Sequence, residues 1–385
     1  MKRKSPFCYL LFFITVLGSC TDPYVSPYKP LPTGYLVVEG YISGNTTTQF
    51  SLTRSIELPG DSTLPVEDGA QVQVEGNDNS AYVLKGLGNG VYSSVDTLQL
   101  LPTVQYRLRI QTTGGESYLS DFVPYKITPA IDSINYINNS DGTEIYANTH
   151  DPSNNTRYYQ WNYDQVYEYH SAEESFYYYD KDTVPPGIEP RPAADEVYRC
   201  WTSGSSTTII LNSTAKLAQD EVYLQPLKNI PVNDIQSSVL YSILVRQYAL
   251  TADGYNFLSL MQKNSESLGS IFDAQPSQVP GNIHSLTHPS EQVIGYVSAG
   301  TVQHQRFFLS RYQANNKYFY SCPFPDTALS MSDSSIKVNF ASGNYTPIEM
   351  VQLSTGISDW LANGTDCIVC TLHGGTNVKP SFWPN

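Results

Sequence analysis

A chain of 385 residues with 22 Lys+Arg against 36 Asp+Glu carries a formal net charge of −14. A surface this acidic repels phosphate backbones and anionic lipid heads, which argues against a nucleic-acid-binding protein. Its length suggests two or three folded domains, and no apolar run beyond the N-terminus is long enough to span a bilayer.

Lys2-Arg3-Lys4 precede an apolar run from Phe7 to Leu17, which ends in Leu17-Gly18-Ser19-Cys20. A basic start, an apolar stretch shorter than a membrane helix and small residues before the cut describe a secretory signal over residues 1–19. The small-small-Cys ending resembles the lipobox of bacterial lipoproteins. That resemblance implies lipidation of Cys20, with diacylglycerol on its thiol and a fatty acid such as palmitate on the new amine. Each buried methylene then adds roughly 0.8 kcal/mol of anchoring. An ordinary signal peptide with a chance Cys20 is the plainer alternative. Residues 20–33 contain four prolines and read as an extended tether.

From residue 34 the pattern turns to strands. LVVEGYIS, QFSLTRSIEL, AQVQVEG, SAYVLKG, GVYSSVDTL and VQYRLRIQT alternate or cluster apolar residues between Gly/Asn/Asp turns. Thr113-Gly114-Gly115-Glu116 reads as a hairpin turn into SYLSDFVPY. This density of short strands over residues 34–125 suits an immunoglobulin-like or transthyretin-like β-sandwich, with Pro124 to Pro129 as a linker. A second β-rich domain is expected over 130–385. In RYYQWNYDQVYEYH, Tyr159, Trp161 and Tyr163 fall on one side of a strand and Gln160 and Asn162 on the other. EESFYYYDKD reads as an acidic, aromatic loop, and VPPGIEPRPAADE as too proline-rich for regular structure. Strands resume at VYRCWTS, STTIILNST and SSVLYSILVRQYAL. The one prominent helix is expected over 252–268, capped by Thr251, with Asp253 in its first turn and its apolar side against the preceding strand. EQVIGYVSAG and QRFFLSRYQ read as a final strand pair, and Ile357 to Leu361 as a short helix. The fold class is therefore mainly β, with tandem sandwiches and one helix in the C-terminal half.

With Cys8 removed in the signal and Cys20 given to lipid, Cys200, Cys322, Cys367 and Cys370 remain. An even number in an exported chain reads as a disulfide framework with three connectivities. Cys367-x-x-Cys370 with His373 nearby also admits zinc or thiol exchange. A structural zinc site takes four close ligands, and this segment offers three. The residues after Cys370 lead into a glycine pair, without the helix start that lowers a thiol pKa. Staples are expected, with Cys367 and Cys370 joined separately to Cys200 and Cys322; a local Cys367–Cys370 bond is the alternative.

Catalytic signals are sparse. His284 and His288 stand four apart, a metal-binding spacing on a helix, but prolines and glycine surround them and place them in a loop. Glycine-flanked serine elbows, H-E-x-x-H, phosphate loops and dinucleotide fingerprints do not occur. No cofactor, metal site or catalytic residue is assigned, and a non-enzymatic protein is expected; a hydrolase with two distant carboxylates is the reading kept in reserve. Tyrosine is abundant, at 30 residues. Tyr159 and Tyr163 read as strand-core residues. Tyr177-Tyr178-Tyr179, placed in a loop, reads as an interaction surface.

YLVVEGYIS, YYQWNYDQVYEY, the long block from ILVRQYALTADGYNF to GNIHS, VIGYVSAG and the C-x-x-C…GGTNVKPSFW ending together resemble the exported lipoproteins of the Bacteroidota known as domain of unknown function 4249. Gly269, Phe272, Pro276, Gly281, Asn282 and Ile283 carry the long block. Members often have polar residues in and after the C-x-x-C, where this chain has Ile368, Val369 and Thr371, which weakens a chemical role for the motif. The resemblance implies an outer-membrane lipoprotein, accessory to a TonB-dependent nutrient transporter, and supplies no catalytic residues. A stand-alone surface protein binding glycan or peptide is the alternative. It also implies glycan attachment at Asp96-Thr97-Leu98, Asp132-Ser133-Ile134, Asp182-Thr183-Val184 and Asp326-Thr327-Ala328.

Overall fold

The computed structural model describes residues 34–56, 64–184, 186–266, 281–322, 326–330, 332–352 and 358–384. The expected signal, the tether, Cys20, Gly269, Phe272 and Pro276 lie outside these residues. The chain is mainly β. It opens with β1 (Leu36–Ser43), β2 (Gln49–Arg54), β3 (Gln71–Gly76), β4 (Ala81–Gly88), β5 (Val91–Ser93), β6 (Gln105–Gln111), β7 (Ser117–Ser120) and β8 (Val123–Lys126). Next come β9 (Ile131–Asn138), β10 (Gly142–His150), β11 (Tyr158–His170), β12 (Tyr177–Asp180), β13 (Gly187–Pro190), β14 (Arg199–Ser205), β15 (Ile210–Ser213), β16 (Glu221–Pro231) and β17 (Leu240–Ala249). Helix α1 (Ala252–Glu266) is followed by β18 (Ile283–Ser285), β19 (Ala299–Gly300), β20 (Val302–Ser310) and β21 (Thr327–Ser330). The remainder holds α2 (Asp333–Asn339), β22 (Tyr345–Gln352), β23 (Ser358–Gly364) and α3 (Thr365–Ile368).

Two-residue alternation makes the first strands. Val72 and Val74 of β3 and Tyr106, Leu108 and Ile110 of β6 are buried in one core, while Glu75 on the outer face takes Arg107 Nε at 2.8 Å and Arg109 Nε at 2.5 Å. The expected turn is present, with Gln111 opposite Ser117 and Gly115 at φ +91°, a conformation that favours glycine. The sheet closes on itself. Its strands run β6-β3-β4-β5-β2-β1-β19-β8, and β8 pairs back to β6 through Tyr106 and Val123; β7 and β18 extend β6 at its far end.

That closure corrects the expected boundary between residues 34–125 and 130–385. The chain returns to the first sheet after α1: β18 pairs with β7, and β19 lies parallel between β1 and β8. Ile283, Val293, Val297 and Ala299 are buried in the first core. EQVIGYVSAG therefore does not pair with QRFFLSRYQ, which forms β20 against β17. Close approach is the reason: a Cβ at Gly300 would lie 2.1 Å from Lys126 O, so glycine alone permits the three-strand contact. The expected linker is also tied down. Part of it is β8, and Thr128 N–H donates to Thr301 Oγ1 at 2.8 Å while Thr128 Oγ1 accepts from Ala249 N–H at 3.0 Å.

The second unit faces two sheets across one core. β16-β10-β9 supplies Ile134, Ile145 and Ile230, and β14-β11-β17-β20 supplies Tyr159, Trp161, Tyr163, Ile243 and Leu309; β15 adds to β11. Tyr159 Oη donates to Asp220 at 2.6 Å. Trp161 Nε1 donates to Gln247 Oε1 at 2.8 Å, and Gln247 Nε2 donates to Pro129 O at 2.8 Å and Thr149 Oγ1 at 2.9 Å. α1 starts as expected, with Thr251 Oγ1 accepting from Gly254 N–H at 3.1 Å. Its closest contacts are with β11 and the start of β15: Tyr255 meets Tyr158 with ring centroids 5.1 Å apart, and Gln262 Nε2 donates to Ile209 O at 2.6 Å. Leu250 N–H bonds to Tyr158 O, which carries the chain off β17 across the end of β11.

A third sheet, β21-β23-β22, lies near the C-terminus. The helix expected around Ile357–Leu361 is instead β23 from Ser358 onward, with Trp360 and Ala362 buried by alternation. The proline-rich VPPGIEPRPAADE contains β13 and a short turn at Ala193–Asp195. Disulfides join Cys200 to Cys370 and Cys322 to Cys367, with Cα atoms 5.8 and 5.7 Å apart. Cys367 and Cys370 thus staple the tail to two separate places in the body. Beyond them Thr376 exchanges backbone hydrogen bonds with Trp201, and Trp383 Nε1 donates to Glu168 Oε2 at 2.9 Å.

Gln247→Leu should strand the Trp161 indole N–H and the Pro129 carbonyl, lowering unfolding stability by about 3 kcal/mol in urea titration. Replacing Cys200 and Cys370 together by Ser should remove roughly 3–5 kcal/mol by the same measurement, and dithiothreitol should bring the wild type to that level or lower.

Candidate functional site

Tyr159, Trp161 and Tyr163 turn inward on β11, so Gln160 and Asn162 point to the opposite face of the five-stranded sheet. Arg246 and Tyr248 of β17 and Val302 and His304 of β20 share that face. Over it lie α1 and the first unit's β1 with residues 294–298, and between these walls is a cleft of about 750 Å³. The cleft exists because the chain returns to the first sheet: β1 and Ile294–Ser298 form its far side only when paired together.

Its chemistry is polar and aromatic. Tyr41 and Tyr248 meet edge to face with centroids 5.0 Å apart. Asn162 Nδ2 donates to Tyr248 Oη at 3.3 Å. Phe257 of α1 packs on Tyr296 at 5.6 Å. Burial pushes the Tyr41 phenol well above its ordinary value and raises that of Tyr248 too, so both stay protonated. Arg246 pairs with Asp164, whose other oxygen accepts from Ser205 Oγ at 2.9 Å. Burial is the largest influence on Asp164 and would raise its pKa; the hydrogen bonds from Arg246 and Ser205 outweigh it, and the net displacement is downward. Two polar atoms of cleft-lining side chains, Tyr41 Oη and Asn162 Oδ1, are buried without a hydrogen bond. Thr128 lies within electrostatic reach of Tyr41 Oη, but no bond of normal geometry joins them.

The same sheet face carries the tail at its other end. Trp383 packs edge to face on Phe308 at 5.7 Å, and the Arg306 guanidinium sits 3.6 Å above the Phe382 ring. Cleft and tail therefore flank the Asp164–Arg246 pair from opposite sides.

The tyrosine run is elsewhere and is a strand, not a loop. Tyr177–Asp180 pairs with Gly187–Pro190, and alternation sends Tyr177 and Tyr179 onto the Phe340–Trp360 cluster, with Tyr177 edge-on to Trp360 at 4.9 Å. Tyr178 is on the other face, 5.9 Å from the Arg191 guanidinium. A second, smaller cavity of about 480 Å³ lies beside this hairpin, lined in part by Phe176, Arg191 and Tyr198. His284 is on β18, 3.2 Å from Asp121, and His288 follows in a turn. His373 Nε2 lies 2.7 Å from Asp366 O. Among the described residues no group of three or more His, Cys, Asp or Glu is placed to hold a metal ion. Asp96–Leu98 and Asp182–Val184 lie in loops, while Ser133 and Thr327 belong to β9 and β21.

Among the described residues, none of those singled out for function in the sequence lines the cleft. Gln160 and Asn162 were recognisable as the outward side of β11, but nothing in the local pattern shows what covers them. The segments of the family resemblance do converge there: YLVVEGYIS supplies Tyr41, YYQWNYDQ the two amides, ILVRQYAL Arg246 and Tyr248, and VIGYVSAG Tyr296.

Fold and site together define a mainly β protein in which two interlocked units enclose a polar, tyrosine-lined cleft. Residues 21–306 match the model of the family described as domain of unknown function (DUF4249), and the chain belongs to that family. The match contains every residue that lines the cleft. A comparison with curated proteins finds no match. Among solved structures, chitinase ChiA74 from Bacillus thuringiensis is similar at 12% identity over 48% of this chain, with a TM-score of 0.14. The alignment spans 30% of the chitinase's length, and a likeness this slight carries no argument.

Asp164 contributes stability that is present above its ordinary value of 3.8 and lost as pH falls through its lowered folded value. Arg246→Met removes the partner and leaves burial opposed by the Ser205 hydrogen bond and the Arg306 charge, so Asp164 should titrate at a higher pH than in the wild type. Carboxyl-carbon NMR titration reads this directly.

Proposed function

We propose that this chain is a lipid-anchored, non-enzymatic accessory of the outer membrane that holds a nutrient for a TonB-dependent transporter. The observation that carries this reading is the cleft. Its volume is typical of small-ligand sites, at ~300–1,000 Å³, and its walls come from the segments that define the family match. Lipidation of Cys20 and the Pro-rich tether would hold this site close to a membrane partner. Two disulfides suit an oxidising compartment outside the cytoplasm.

Binding without chemistry is part of the proposal. Arg246 is committed to Asp164, and among the described residues of the cleft lining the other carboxylate and imidazole groups are Glu39 and His304, one of each. The two units are further read as relatives of immunoglobulin-like or transthyretin-like sandwiches. The paired sheets of the second unit support this, and the first unit would be a variant whose sheet has closed into a ring. A second reading is a stand-alone surface protein that binds glycan or peptide through the tyrosines, amides and hydroxyls lining the cleft.

Affinity purification of the natively processed protein from detergent-solubilised outer membranes should recover a TonB-dependent transporter, and Cys20→Ala should release the protein from membranes. Repeated purification of the lipidated protein alone would sink the accessory role and leave the stand-alone one.

A further inference from the structure

We infer that the cleft takes a neutral oligosaccharide of a few sugar units. This deepens the reading of the cleft as the ligand site, and it rests on that reading alone, not on the transporter.

Charge excludes most alternatives. Arg246 is the one Lys or Arg among the cleft-lining residues, and Asp164 neutralises it. Among the described residues no free cation is therefore on the lining for a carboxylate or phosphate, and the net charge of −14 opposes anions from a distance. Among the described residues Glu39 is the one carboxylate on the lining, and it is exposed, so it is a weak partner for an ammonium group. An extended peptide would gain most by adding a strand, but β1, β11 and β17 are paired on both edges, and Asn45 occupies the outer edge of β20 at Val302.

What remains is a surface of neutral hydrogen-bonding groups and rings. The phenols of Tyr41, Tyr248 and Tyr296, the amides of Gln160 and Asn162 and the Thr46 hydroxyl offer donors and acceptors without charge. Sugars present that same mixture around rings whose C–H faces pack on aromatics. Asn162 Oδ1, an acceptor on the cleft lining, is buried without a hydrogen bond. Burying such a group unpaired is costly, and a ligand hydroxyl can donate to it.

Isothermal titration of the full mature chain with neutral trisaccharides (maltotriose, cellotriose and mannotriose) tests the assignment, with a galacturonic-acid trimer and tetra-alanine as contrasts. At least one neutral trisaccharide should bind saturably. Asn162→Ala should weaken it at least tenfold. Thr47→Trp, at an exposed position on the cleft lining, should abolish it while the protein melts like the wild type. The inference fails if the acidic trimer or the tetrapeptide binds in preference, if no neutral trisaccharide binds the folded wild type, or if binding survives both substitutions. Transporter recovery with the wild type, read beside its own sugar titration, separates the two ideas. Recovery without sugar binding overturns the ligand class alone, and sugar binding without recovery overturns the partner alone.

Discussion

The structure depends on a single excursion of the chain: after α1 it goes back to the first sheet and inserts a two-residue strand between β1 and β8. Ala299 and Gly300 make that contact because a backbone without a side chain at Gly300 can lie against Lys126 O. The core gains Val293, Val297 and Ala299, and the sheet acquires the neighbour it needs to close. Thr128 and Thr301 then lock the two crossings side by side, and Asn45 grips Val302 through both its amide groups, at 2.8 and 2.9 Å. With both crossings hydrogen-bonded, the units are clasped at more than one point, and the cleft between them has a defined width. A site on two separately hinged domains would have to order its walls on binding and would lose affinity to that ordering.

One sheet face is put to two uses. Its end near β1 and α1 is left open as a cleft, and its other end is sealed by the C-terminal tail through Trp383, Phe382 and two disulfides. An open sheet face would expose apolar and aromatic side chains to water along its whole length. The tail covers what the cleft does not require. Asp164 and Arg246 sit at the border, where mutual neutralisation lets two charges remain half-buried without drawing a charged ligand into the site.

Much of the fold was legible because alternation is local. β1, β3, β6, β11 and β17 fall where apolar and polar residues interchange, and the cap at Thr251 and the turn at Gly115 depend on residues within a few positions. The misread parts are those settled by distant partners. EQVIGYVSAG has the composition of an ordinary strand, yet only two of its residues pair in one, because its neighbours are β1 and β8. Tyr177–Tyr179 looked like a loop because its hairpin partner is Gly187–Pro190, a proline-containing stretch at a sheet edge where a missing N–H does no harm. Ile357 and Leu361 share helical spacing, but from Ser358 onward pairing with β22 and β21 decided for a strand. The cleft was the least visible feature. Gln160 and Asn162 are correctly outward on β11, and no rule of local periodicity says that a helix and a second unit will roof them.

The two cross-links also set an order of events. In sequence the cysteines run Cys200, Cys322, Cys367, Cys370, whereas the bonds are Cys200–Cys370 and Cys322–Cys367, one loop nested in the other. For a chain exported as proposed, an oxidant acting on thiols as they emerge would join the first to the second and the third to the fourth, and both products would be wrong. Cys200 and Cys322 must wait for the last stretch of polypeptide, or be rearranged by thiol–disulfide exchange once it arrives. Maturation would then be paced by isomerisation of sulfur bonds, and a cell making this protein in quantity would depend on a catalyst for that shuffling.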